Sequence, residues 1–190
     1  MSPLGIDLGC KVPPGHVPIY LSVSPQIMYK TLEQQYLASL TMLLRVVETC
    51  PDGIWTDKSY RHQTWHIAYH ALFYADLYSC VNHTSFKPRC IHIDGCHSLD
   101  FKTSKGEILV DVSGYEKRDI VAYAHDLINS IGGRVIKNKL DDDSGFPWIE
   151  MKKLGLHIYN IRHIQHHMAQ LNERVIQSNG IGVGWVGKVG

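Results

Sequence analysis

Apolar positions recur along this chain in long blocks with helical spacing. Met28, Leu32, Tyr36, Leu40, Leu43, Leu44 and Val47 follow at three- and four-residue intervals, the period that gathers side chains on one face of an α-helix. Ser24 followed by Pro25 supplies a cap and a first-turn residue, and Cys50-Pro51-Asp52-Gly53 supplies turn chemistry, which predicts a first helix from about Pro25 to Thr49. A second is predicted from Ser59 or Tyr60 to about Val81. Its centre, His66 to Tyr78, contains no Gly or Pro and is apolar most of the way round, the signature of a buried helix. A third opens at Ser113-Gly114, carries Ile120, Val121, Ala124, Leu127, Ile128 and Ile131, and is expected to close at Gly132-Gly133. A fourth covers roughly Glu150 to Ser178, with Asn179-Gly180 as its stop.

The stretch from Asn82 to Gly114, broken by Lys87-Pro88 and Gly95, is long for a connection, and loops of that size tend to be functional or partly structured. Ile108, Val110 and Val112 alternate within it, but a lone strand has nothing to pair with and the segment reads as loop. These features predict an all-α fold, an antiparallel four-helix bundle with a long crossover between helices 2 and 3. The 190 residues make one domain, 1–190, with an irregular N-terminal arm over 1–23 and a Gly-rich tail over 180–190. No helix follows that tail, so it is no phosphate cradle.

Charge and composition narrow the function. Lys plus Arg number 19 against 18 Asp plus Glu, with no basic stripe, so nucleic acid is not an expected partner. The hydrophobic share is 44%, yet no apolar run approaches the roughly 20 residues of a membrane-spanning helix, so no membrane association is expected. The first 23 residues are interrupted by Gly5, Gly9, Pro13, Pro14, Gly15 and Pro18 and carry no export signal. Five scattered cysteines suit a reducing compartment better than a disulfide framework, and the expected location is cytoplasmic.

Histidine stands out, at 12 residues. His163 and His167 are four apart on the fourth helix and can reach one ion, whereas His166 points outward. The competing reading is a pair that hydrogen-bonds carbonyls or water at the core edge. Helix two offers His62, His66 and His70, again at spacing four, and bundles place metals between facing helices. His70 lies deepest in the apolar run, where an unpartnered imidazole costs desolvation. A rival cluster is Cys90, His92, Cys96 and His97 in the crossover, although Cys90 and His92 are too close for a finger-type site. His125 faces either the interior or, more ordinarily, solvent. The acidic run Asp141 to Asp143 reads as a solvated loop. No carboxylate presents itself as a base: Asp76 is turned away from His70 and Glu173 lies on the outer side of its helix.

The segments Thr64-Trp65-His66-Ile67-Ala68-Tyr69-His70-Ala71-Leu72-Phe73-Tyr74-Ala75-Asp76-Leu77-Tyr78 and Asn160-Ile161-Arg162-His163-Ile164-Gln165-His166-His167-Met168-Ala169-Gln170-Leu171 together resemble the DinB (damage-inducible) family of four-helix metal-binding proteins, over about Pro25 to Trp185. The resemblance implies one divalent metal ion, zinc or nickel, on His70, His163 and His167, with His66 as the alternative ligand from helix two. Three imidazoles leave a coordination position open, the arrangement of a catalytic site. Gln170, Asn160 and Tyr74 are candidates to support the ligands, and Trp65, Phe73 and Tyr159 to wall a pocket. The resemblance implies either a metal-dependent transferase acting on a low-molecular-weight thiol or a metal-binding protein of unassigned activity. The alternatives are a metal-assisted hydrolase and a non-enzymatic metal-binding bundle. By analogy with related bundles, a homodimer is expected.

Overall fold

The computed structural model describes residues 24–109 and 112–189, so the arm predicted over 1–23 lies outside the described residues, as do Cys10 and Val110. The described chain is helical: α1 Pro25–Thr49, the single turn α2 Asp52–Trp55, α3 Thr64–Ser79, a 3-10 turn His83–Ser85, α4 Lys117–Val135 and α5 Lys153–Asn179. Among the described residues extended pairing is limited to two isolated bridges, Lys102 with Ile108 and Asp143 with Lys152. None of the described helices is long and apolar enough to cross a membrane.

Each long helix packs against two others: α1 against α4 and α5, and α3 against the same two. α3 is enclosed on nearly every side. Every one of its residues except His70 and Tyr74 is buried, so its apolar circumference finds cover all round. Those two half-buried positions, one turn apart, mark where the core opens.

Helix ends differ from the periodic reading where loops compete for the backbone. Ser24 caps α1 by accepting from Ile27 N–H, and Gly180 stops α5 in the left-handed conformation at φ 77°, both as the residue types predict. α3 starts at Thr64 rather than at Ser59 or Tyr60, because Asp57 Oδ1 accepts from Ser59 N–H at 2.8 Å and turns the chain. His62 consequently precedes the helix and does not continue the His66–His70 stripe. α4 starts at Lys117, since Gly114 (φ 86°) is pressed under the Trp65 indole where a Cβ would stand 2.8 Å from the ring. Gly132-Gly133 does not close α4, which runs on to Val135; at Gly132 the Glu33 side chain of α1 occupies the space a Cβ would need. α5 begins at Lys153 instead of Glu150, because Ser144 N–H bonds the Met151 carbonyl and Lys153 N–H bonds that of Asp142.

Three buried polar groups set how the helices meet. Asn160 of α5 donates to the Tyr36 hydroxyl of α1 (3.1 Å) and to the Ala75 carbonyl of α3 (3.2 Å), while Tyr36 contacts Nδ1 of His157 at 3.0 Å. Lys153 is 2% exposed, and its ammonium reaches the carbonyls of Cys80, Val81 and Ser144, tying the end of α3 to the start of α5.

His157 is fully buried, and burial, aided by the Lys153 charge, holds it down at about 4 from an ordinary value of 6.5. The folded protein keeps it neutral while the unfolded chain takes up a proton below pH 6.5. Stability from this group is therefore complete above pH 6.5 and is lost as pH falls toward 4, by about 3 kcal/mol at most. Urea titrations at pH 7.5 and 4.5 are expected to show a smaller acid loss for His157→Asn than for the unaltered protein. An equal loss in both would assign the acid sensitivity elsewhere.

Candidate metal centre

α3 and α5 pack along their length, which brings His70 against His163 and His167. Nε2 of His70 lies 3.1 Å from Nε2 of His163, and Nε2 of His163 lies 3.0 Å from Nε2 of His167. One ligand nitrogen from each of the three falls within 4.8 Å of the others. Neighbouring ligand nitrogens of a tetrahedral ion bonded at about 2.0–2.1 Å sit about 3.3 Å apart, so these spacings suit a single ion.

Two of the three tautomers are set by neighbours. His70 Nδ1–H donates to the backbone carbonyl of His97 at 2.7 Å, and His167 Nδ1–H donates to Oε1 of Gln170 at 2.8 Å. Each arrangement leaves the Nε2 lone pair facing the centre, which is how ligand histidines are commonly oriented. His163 has its Nδ1 buried without a hydrogen-bond partner among the described residues, and its ring stacks on Tyr159 (interplanar angle 5°) and meets the edge of Tyr74. Three nitrogens aimed at one point repel one another unless a cation or proton stands between them. Protonation is opposed: burial pushes His70 down to about 3 and His163 down to about 4, with the neighbouring imidazoles adding to the effect, and burial lowers His167 as well. A donor set of neutral imidazoles that resists protons fits a metal ion.

His66, the alternative ligand, is not among them. Its Nε2 is 2.9 Å from the Ser98 carbonyl and its ring stacks on Phe101 at 4.0 Å and on Trp65, holding the crossover to α3. His62, with Arg174 of α5 on its carbonyl, also lies apart. Of the supporting candidates, Gln170 bonds His167, Tyr74 packs its ring on His70 and His163, and Asn160 is engaged with Tyr36 and Ala75. Trp65 and Phe73 face the crossover instead of walling the centre, leaving Tyr159, 41% exposed, beside it. His125 and His166 are exposed, as are Glu173 and the three aspartates Asp141 to Asp143.

Asp76 is buried on the α4 side, accepting from Tyr123 at 2.9 Å and pairing with Arg134 and Arg89. Cys90, His92, Cys96 and His97 do not come together as a four-ligand set: Cys90 is exposed beside Arg89 and Asp119, and Cys96 is fully buried near Tyr115. The four described cysteines are all free. The His97 carbonyl is the supporting group that side-chain reasoning missed, since a backbone acceptor leaves no trace in residue type.

Compared with protein-family models, curated proteins and solved structures, the chain finds no match.

Proposed function

We propose that this protein binds one divalent metal ion, zinc or nickel, on Nε2 of His70, His163 and His167 in an antiparallel four-helix bundle of the DinB kind, and that it uses the remaining coordination position for a low-molecular-weight thiol. The observation that carries the reading is the convergence of three neutral imidazole nitrogens, two of them oriented by Nδ1–H bonds. Four long helices, each packed on two others, support the bundle, and free cysteines accord with a reducing, cytoplasmic setting. When bound, such an ion lowers the proton affinity of a thiol beside it and so supplies a thiolate near neutral pH.

The chain's own residues would do the rest. His70, His163 and His167 hold the centre, Gln170 and the His97 carbonyl keep their lone pairs inward, and Tyr74 and Tyr159 flank the approach to His163. Among the described residues no carboxylate joins the three histidines, which favours a reaction that needs a ready nucleophile over one that needs a side-chain base. In transfer, the thiolate sulfur forms a bond to the electrophilic carbon of an alkylating or arylating substrate. The leaving group departs with its bonding electrons, and the thiol proton passes to solvent.

Protein loaded with cobalt as a spectroscopic substitute is expected to retain about one tightly held ion per chain and to gain a sulfur-to-cobalt absorption band when a small thiol is added. A retained ion whose spectrum ignores the thiol would remove the transferase reading and leave the metal-binding one.

A further inference from the structure

The crossover between α3 and α4 holds a second group of metal-ligating side chains, apart from the triad. His92, Asp94 and His97 each bring one ligand atom within 4.8 Å of the others. Both imidazoles lie against the Phe73 ring of α3, His92 at 5.1 Å and His97 at 4.8 Å between centroids, which gives them a rigid floor. His92 Nδ1 is 2.6 Å from the Tyr69 hydroxyl. With Nδ1–H donated there, its Nε2 keeps a free lone pair. Asp94 is held by Ser104, whose N–H lies 3.1 Å and whose hydroxyl lies 2.6 Å from the carboxylate.

One feature of the group is unexplained by protein contacts alone. His97 Nδ1 is buried without a hydrogen-bond partner among the described residues, a condition that native structures ordinarily avoid. The exposed Asp94 carboxylate beside two imidazoles supplies the missing charge complement for a cation.

We infer that His92, Asp94 and His97 form a second site for a divalent transition-metal ion, which pins the crossover to α3. Two imidazoles and one carboxylate are a donor set for first-row ions such as zinc, and the imidazoles select against magnesium and calcium, which prefer oxygen. The site is open to solvent on the Asp94 side and weaker than the triad. Its use follows from the loop it sits in, a long stretch with little regular structure, where an ion linking His92 to His97 restricts the chain as a clip would.

The inference does not depend on the function proposed for the triad, and titration separates the two. Metal-free protein titrated with zinc chloride, followed by calorimetry, is expected to take up two equivalents, the second more weakly. Asp94→Asn, an exposed and nearly isosteric substitution, and His92→Ala should each weaken the second equivalent at least tenfold and leave the first unchanged. His163→Ala with His167→Ala should do the reverse. A wild-type protein that binds a single equivalent overturns the inference. So does a second equivalent that survives Asp94→Asn plus His92→Ala, or one that disappears with Cys90→Ser. A first equivalent that survives His163→Ala with His167→Ala, while the second is still weakened by Asp94→Asn and by His92→Ala, would sink the triad and leave this site standing.

Discussion

Protein with His163→Ala and His167→Ala is expected to lose the ion proposed for His70, His163 and His167. Two of three converging nitrogens disappear, and His70 alone cannot retain a metal through dialysis. The fall in affinity should exceed about a thousandfold, since groups that merely orient a ligand are each worth about 10- to 100-fold. Elemental analysis of the loaded and dialysed protein measures it. The helices should persist, because Leu156, Ile164, Leu171 and Val175, all fully buried on α5, are untouched, and the core needs no ion to exclude water. Far-ultraviolet circular dichroism of the variant, and of the unaltered protein after chelation, should therefore match that of the loaded form. Collapse of the helical signal on chelation would make the centre structural. A variant that keeps its full metal content would end the assignment.

Asp76→Ala should have the largest effect on stability. The carboxylate is 4% exposed and holds the Tyr123 hydroxyl, Arg134 and Arg89 in one cluster joining α3, α4 and the crossover. Its removal leaves two guanidinium groups, Arg134 at 26% and Arg89 at 25% side-chain exposure, without the carboxylate they share. Breaking a buried pair from one side costs about 3–5 kcal/mol, a large share of the 5–15 kcal/mol that ordinarily separates folded from unfolded protein. Urea unfolding should show the drop in midpoint. The metal affinity of the fraction that remains folded should be unchanged, since Asp76 takes no part in the triad. A loss below about 1 kcal/mol would show that the arginines find solvent instead.

Much of the helical layout is readable before any coordinates, and the reason is local. Ser24-Pro25 and Asn179-Gly180 act within one turn of where they stand, so α1 and the end of α5 follow from neighbouring residue types. His163 and His167 share a face by helical period alone. What escapes such reading is set by contacts distant in sequence. Gly132 looks like a terminator but sits inside α4, where Glu33 of α1 approaches. His62 looks like a third rung of a histidine ladder, yet the Asp57 turn keeps it out of the helix. His92, Asp94 and His97 converge because Phe73 and Tyr69 provide their floor, which no spacing rule encodes.

The acceptor for His70 Nδ1–H is the carbonyl of a residue 27 positions along the chain, in the crossover and not in α3 or α5, which carry the three histidines. α3 and α5 bring the imidazoles together but do not choose which nitrogen of His70 holds its proton; a loop makes that choice. Anyone grafting the three histidines onto a minimal bundle would transfer the side chains and leave the selector of the His70 tautomer behind. The crossover is, in that sense, as much a part of the centre as the histidines are.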